Sequence, residues 1–135
     1  MNKPFLKYFP RFFFSSLWAL GIFFLFVFDF SGSTKDLPLI PFADKIVHAL
    51  LFFVQTGILL WELNRRSFSS TNISVGRLFV WSVSLPFLYG VFIEFIQNYL
   101  PYRGAELMDL LFDLMGSLAA FACLIMIMIW HENRH

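Results

Sequence analysis

Four long apolar segments, separated by polar connections, dominate the chain. They cover about residues 12–28, 46–63, 78–97 and 110–130. A membrane-spanning helix needs about 20 mostly apolar residues, and these segments are too long and too evenly apolar for the alternating strands of a membrane barrel. The connections hold most of the Gly, Pro, Ser and Asn residues, as loops do. The pattern predicts an all-α, four-helix transmembrane bundle that forms a single domain over residues 1–135.

Composition supports a protein in contact with lipid. Hydrophobic residues make up 59% of the chain and charged residues 14%, with 20 Phe among 135 residues. Soluble domains average about 45–50% apolar and about 25% charged residues, so a soluble enzyme is disfavoured and a disordered chain is excluded. The single cysteine excludes an intramolecular disulfide. Membrane lipids are the expected partners, and neither a nucleic acid nor a cofactor is predicted.

The distribution of basic residues predicts the orientation. Four helices place both termini and the middle connection on one side of the membrane. That side holds seven basic residues and the other side holds three: Lys3, Lys7, Arg11, Arg65, Arg66, Arg77 and Arg134, against Lys35, Lys45 and Arg103. The positive-inside rule then places both termini in the cytoplasm. The first segment also resembles a signal peptide, but its length and its poor cleavage site favour an uncleaved helix.

Three of the predicted helices carry polar residues inside the apolar segment, where ionisable groups are costly. Helical spacing places each set on one face. In the third segment Glu94 and Gln97 share a face that Gly90 and Pro86 continue. The other two sets are Asp44, His48 and Gln55 in the second segment, and Asp109, Asp113, Gly116 and Ala120 in the fourth. A polar end followed by small residues is typical of a face packed against a neighbouring helix.

All three polar faces are richest at the predicted outer end, so short loops would bring them together. We expect one cluster in the outer leaflet that faces the bundle interior, with Glu94 within reach of Arg103, Lys45 or His48. The hypothetical catalytic residues, which would move protons, are His48, Glu94, Asp109 and Asp113. The hypothetical substrate-binding residues are Asp44, Lys45, Gln97 and Arg103, of which Lys45 and Arg103 would hold an anionic group.

Several of these residues also have purely structural interpretations. Asp44 and Lys45 suit the first turn of a helix, Asp109 suits an N-cap, and Glu94 suits an ion pair. Glu62 is expected to be solvated or to face lipid headgroups. His48 with Glu94, Asp109 and Asp113 offers nitrogen and oxygen ligands, but no compact ligand motif supports a metal, so none is predicted.

The motifs that these residues form resemble the VanZ-like family of small bacterial integral membrane proteins. The family shows Asp-Lys-x-x-His, then Glu-x-x-Gln, a Pro and an Arg, and an Asp that opens the last helix. Here these are Asp44, Lys45 and His48, followed by Glu94, Gln97, Pro101, Arg103 and Asp109. Asp113 replaces the Asn that usually precedes the glycine equivalent to Gly116.

The resemblance implies a multi-pass protein of the bacterial cytoplasmic (inner) membrane with an outer-facing polar site. The family is named after a protein that confers low-level teicoplanin resistance, and the resemblance supplies no reaction. The added charge of Asp113 argues against a simple transfer of any family mechanism.

Three hypotheses for function follow. In the first, the site binds or processes a cell-envelope amphiphile at the outer leaflet and thereby affects glycopeptide susceptibility. In the second, the chain is a small ion-coupled transporter that uses Glu94. In the third, it is a structural or interaction protein whose polar cluster only fixes helix packing. Whether the chain is an enzyme and what its oligomeric state is are left open.

Overall fold

The computed structural model of the chain describes residues 9–28, 42–67, 74–102, 104–132 and 134. Within these ranges the chain is all-helical and contains four helices, as the sequence predicts. They are α1 (Phe13–Val27), α2 (Ala43–Ser67), α3 (Val75–Gln97) and α4 (Leu107–Glu132). Helices α2 and α4 begin three residues earlier than the apolar segments do, because the acidic residues of their first turns suit a helix N-terminus.

Three of the four helices are long and apolar enough to cross a membrane. The candidate spans are Ala43–Asn64, Val75–Gln97 and Leu107–Ile127, with mean hydropathies of 1.8, 1.7 and 2.3. Helix α1 is apolar but has only 15 residues. The cytoplasmic location of the two termini stays a prediction. Helices α2 and α4 begin, and α3 ends, at the predicted outer side of the bundle. We call this side the pocket end, after the pocket described below, and the other side the opposite end.

Helices α2 and α4 pack together most extensively, and α1 lies against α2 and α3. A Cβ atom at Gly116 would overlap the carbonyl group of Ala49, so α4 approaches α2 closely only because residue 116 is glycine. Ala120, one turn further along α4, is 1% exposed. The prediction that Gly116 and Ala120 face the bundle is therefore confirmed.

Helix α1 is tied to its neighbours by two aromatic side chains. The indole Nε1 of Trp18 donates to the carbonyl oxygen of Leu51 in α2, at 3.1 Å. The hydroxyl group of Tyr89 in α3 donates to the carbonyl oxygen of Ala19, at 2.5 Å. These bonds explain why both aromatic residues lie deep in their segments rather than at the membrane boundary, where such rings usually anchor a helix.

Glu62 is buried at the opposite end, so the prediction that it is solvated or headgroup-facing was wrong. Only 3% of it is exposed. Its carboxylate accepts hydrogen bonds from the backbone N–H groups of Phe14 and Ser15, at 2.9 and 3.3 Å, and from the Ser15 hydroxyl group. The physical reason is that the first N–H groups of a helix need acceptors, and the N-cap residue Phe12 offers no side-chain cap. An acid of α2 therefore caps α1.

Helix α3 contains a π-helical segment, Val80–Ser84, just before Pro86. A proline inside a helix clashes with the carbonyl group four residues earlier and donates no hydrogen bond to it. A wider turn relieves this conflict. Within the segment, the Ser82 hydroxyl group donates to the carbonyl oxygen of Leu78 at 2.6 Å.

Candidate functional site

The three polar faces predicted from the sequence meet at the pocket end. Of the eight predicted site residues, six are buried, with exposed fractions of 1–8%: Lys45, His48, Glu94, Gln97, Asp109 and Asp113. The side chain of Asp44 is 61% exposed. Arg103 lies outside the described residues. The structure thus brings six of the eight together, while their catalytic and binding roles stay predictions.

His48 is held in one orientation from two sides. Its Nδ1 lies 2.9 Å from Oδ1 of Asp113, the geometry of an imidazole N–H group that donates to a carboxylate. The ring of Phe26 from α1 stacks on the imidazole, with 4.0 Å between the ring centroids. The remaining nitrogen, Nε2, faces Asp109, whose Oδ2 lies 3.7 Å away. His48 is therefore oriented by α1 and α4 and leaves one nitrogen available.

The missing side chain of Gly90 makes room for Asp113. A Cβ atom at position 90 would lie 2.7 Å from Oδ2 of Asp113 and 3.4 Å from the ring of Phe52. The sequence predicted Gly90 on the polar face of α3. The structure shows why glycine suits that position, since a side chain there would collide with Asp113.

Lys45, which was predicted to hold an anionic group, is surrounded by protein carboxylates. Its Nζ lies 2.9 Å from Asp44, 2.8 Å from Glu106 and 3.1 Å from Asp109. An ammonium group has three N–H donors, so all of them have acceptors. Asp44 lines the pocket together with His48, as their spacing predicts, although its side chain is 61% exposed. Lys45, which precedes His48 by three residues, is buried beside it.

The two carboxylate oxygens of Glu94 differ in their hydrogen bonding. Its Oε2 accepts the backbone N–H group of Glu106 at 2.8 Å. Its Oε1 is buried and has no hydrogen-bond partner in the described part of the chain. Of the three partners predicted for it, Lys45 and His48 form no ion pair with it there, and Arg103 lies outside the described residues.

Two further residues belong to the site and were missed. Glu106 binds both Lys45 and Glu94, and its spacing of three from Asp109 was the available signal, since residues three apart near a helix start share a face. Tyr102 donates from its hydroxyl group to the carbonyl oxygen of Val27 at 2.7 Å. The side-chain amide nitrogen of Gln97 donates to the carbonyl oxygen of Phe26 at 3.1 Å. Both bonds end at backbone carbonyl groups in the last turn of α1. No pattern in the sequence indicates that these groups contact α3 or the residues that follow it.

A polar pocket of about 260 Å³ opens at this cluster, lined by Asp44, His48, Gln97, Tyr102, Gly104, Glu106 and Asp109. A larger cavity of about 350 Å³ lies at the opposite end, where it is mostly apolar and flanked by Arg11 and Arg77. The polar pocket has the chemistry of a specific site, since acceptors and an oriented imidazole converge on it. The larger cavity offers only apolar contact between its two arginines.

The cluster also has the composition of a metal-binding site. Ligand atoms of His48, Glu94 and Asp109 all lie within 4.8 Å of one another. Asp113, the fourth residue considered as a ligand, instead contacts the other ring nitrogen of His48, Nδ1, through its Oδ1.

Fold and site together define a class: a small protein of several membrane-spanning helices with a buried histidine and carboxylate cluster at one end. The sequence model of the VanZ/LLP1 family matches residues 6–129. The chain therefore belongs to the VanZ/LLP1 family, as the motifs in its sequence suggested.

One curated relative is an uncharacterized protein of Schizosaccharomyces pombe. It is 30% identical over 118 residues, which is 86% of this chain and 65% of that protein. The chain thus spans about two thirds of the relative's length. No solved structure matches the chain.

Proposed function

We propose that the chain binds the headgroup of a membrane amphiphile in the pocket at the pocket end. The observation that carries this proposal is the polar pocket of about 260 Å³ beside an oriented His48. Small-molecule sites combine a concave shape with a few well-placed polar groups. A pocket at the ends of spanning helices lies at the depth of lipid headgroups.

The charges of the pocket favour a headgroup that donates hydrogen bonds. Its lining includes three carboxylates, from Asp44, Glu106 and Asp109. Lys45 is already paired with all three. Sugar hydroxyl groups or an amine would find acceptors there, whereas a bare phosphate would meet negative charge. We therefore propose a glycosyl or amine headgroup rather than a purely anionic one.

Apolar residues beside the pocket can accompany the tail of such a molecule. Leu107 and Met108, which lie between the pocket residues Glu106 and Asp109 in the chain, are 85% and 46% exposed. A headgroup in the pocket thus has exposed apolar side chains next to it. The relative in a yeast favours a ligand that is common to many membranes over one found only in bacterial walls.

A binding experiment with matched tails tests the proposal. Amphiphiles with identical acyl chains and a glucosyl, an amine, a phosphoglycerol or no headgroup are offered to the purified chain in lipid nanodiscs. We expect the glucosyl or amine compound to bind about tenfold more tightly than the compound without a headgroup, which corresponds to about 1.4 kcal/mol. Asp109→Asn should weaken that preference, and Glu62→Gln, a buried acid at the opposite end, should preserve it. Equal binding of all four compounds would contradict the proposal.

Glycopeptides with an acyl tail are one candidate within this class. The proposal expects that expression of the chain raises the tolerance of a susceptible bacterium to teicoplanin, which carries such a tail, more than to vancomycin, which does not. Asp109→Asn should remove the difference at equal protein abundance. If expression of the chain changes the tolerance to neither compound, glycopeptides are excluded as ligands.

Chemical processing of the bound headgroup would depend on His48. The Asp113–His48 pair is the arrangement of a general base and its orienting carboxylate. We propose that Nε2 would accept a proton from a headgroup hydroxyl group or from water in the pocket. A loss of turnover without a loss of binding in Asp113→Asn would support this role.

A small ion-coupled transporter is the second candidate, and one observation favours it. Buried polar atoms of Gln55, Thr56 and Ser117 have no hydrogen-bond partner in the described residues, and they lie in the middle of their helices. With Glu62 at the opposite end, polar groups occur along the whole interior. Proton flux into proteoliposomes, abolished by Glu94→Gln, would favour transport over headgroup binding.

A further inference from the structure

We propose that His48, Glu94 and Asp109 form a binding site for a divalent transition metal ion such as Zn²⁺. The three residues come from three different helices, α2, α3 and α4. Their ligand atoms lie within 4.8 Å of one another. One nitrogen and two carboxylate oxygens form a ligand set that suits Zn²⁺ and neighbouring transition metals.

Each of the three ligands is anchored through one atom and has a second atom available. His48 is held through Nδ1 by Asp113, which leaves Nε2. Asp109 is held through Oδ1 by Lys45, which leaves Oδ2 directed at His48. Glu94 is held through Oε2 by the N–H group of Glu106, which leaves Oε1. Outer partners of this kind fix the orientation of metal ligands.

The unpartnered oxygen of Glu94 points to a cation ligand independently of the distances. Glu94 is 5% exposed, and its Oε1 has no hydrogen-bond partner among the described residues. A buried polar atom without a partner destabilises a fold unless something binds it. Lys45, a nearby cation, already has three carboxylate partners.

The distance between the ligand atoms of His48 and Asp109 requires only a small contraction. Two ligands of one tetrahedral Zn²⁺ ion, each about 2.0–2.2 Å from it, lie about 3.4 Å apart. Nε2 of His48 and Oδ2 of Asp109 are 3.7 Å apart. His48 and Asp109 also line the pocket, so an ion bound there would lie beside a ligand in the pocket. A nitrogen that binds the ion cannot accept a proton, so the zinc site is an alternative to the proton-transfer role of Nε2.

A zinc titration of the purified chain tests the site. The other two histidines, His131 and His135, are replaced by Gln in every sample, and no histidine tag is used, so that His48 is the sole imidazole. The chain in detergent is stripped with a chelator and titrated with ZnCl₂ by calorimetry. We expect one ion per chain and a rise in the unfolding temperature. Asp113→Asn, which changes only the outer partner, should weaken binding about 10- to 100-fold.

Two variants decide between a site and non-specific binding. Glu94→Gln keeps the size of the side chain and should weaken zinc binding at least as much as Asp113→Asn does. Glu62→Gln removes a buried acid at the opposite end and should leave binding unchanged. Equal affinity in wild type and Glu94→Gln, equal loss in Glu62→Gln, or no zinc binding by a folded chain would overturn the proposal. The titration measures zinc alone, so a failure of the zinc site and a failure of headgroup binding can be told apart.

Discussion

Asp113 lies one turn inside α4, and it fits there because Gly90 has no side chain. Its carboxylate orients the imidazole of His48, which places the available nitrogen beside Asp109. The geometry of the cluster thus depends on the lack of a side chain at Gly90 in the neighbouring helix α3.

Gly90→Ala should therefore disturb the site. The added methyl group would lie within 2.7 Å of an oxygen of Asp113, which must move. Overpacking of this kind typically costs about 1–3 kcal/mol. We expect shifted NMR signals of the His48 ring and a lower free energy of unfolding. Gly57→Ala is the matched control, because a Cβ atom there meets nothing within 4 Å. Identical His48 spectra in wild type and Gly90→Ala would contradict the geometry.

The start of α1 depends on a single side chain in the same way, that of Glu62. Glu62→Leu leaves the first N–H groups of α1 without their acceptor, and unsatisfied buried donors cost about 1–3 kcal/mol. Glu62→Gln keeps one acceptor oxygen, so it should lose less. Reversible unfolding in mixed micelles gives both values. If Glu62→Leu is as stable as wild type, the carboxylate does not cap α1.

At the scale of helices, the contact between α2 and α4 positions the cluster. Lys45 and His48 lie on α2, and Asp109 and Asp113 lie on α4. Close approach further along, where Gly116 meets the backbone of Ala49, sets the distance between these two polar faces. Small residues at such crossings let helix backbones approach within a membrane.

Gly116→Ala should separate α2 from α4. Its Cβ atom would overlap the backbone of Ala49, which cannot rotate away as a side chain can. We expect a loss of about 1–3 kcal/mol in the free energy of unfolding. In Gly57→Ala the open space around the new methyl group predicts no loss, since alanine favours a helix over glycine by about 1 kcal/mol. Equal unfolding of the two variants would show that the helices are not in close contact.

Periodicity could predict the helices and the convergence of their polar faces. Glu94, Asp109 and Asp113 stand out because an acid inside an apolar segment needs a partner. The alignment of Asp44 with His48 could be predicted from helical spacing, but the 61% exposure of Asp44 beside a buried Lys45 could not. The partners of Glu94 and the burial of Glu62 could not be predicted, because both depend on backbone N–H groups of another element, which carry no signature in the sequence.

At the scale of the whole molecule, orientation decides which compartment supplies the ligand. Arg11 and Arg77 lie at the opposite end, and acidic groups crowd the pocket end. This distribution agrees with the excess of basic residues that predicts cytoplasmic termini. In that orientation the pocket opens to the outer leaflet.

Paired reporter fusions measure this orientation. A green fluorescent protein fused after residue 135 should fluoresce, and an alkaline phosphatase at the same position should be inactive. An active phosphatase fusion would reverse the orientation and place the pocket on the cytoplasmic side. A phosphatase inserted into the connection after α1 is the control, and it should be active.

We claim that a headgroup binds at the pocket end rather than in the larger apolar cavity. The most direct measurement is photo-crosslinking with an amphiphile whose headgroup carries the reactive group, followed by mass spectrometry of the modified peptides. We predict that the crosslinks lie on residues 97–109 and on the first turns of α2, around His48, and that excess unlabelled amphiphile prevents them. Crosslinks around Arg11 and Arg77, or scattered evenly along the helices, would contradict the claim.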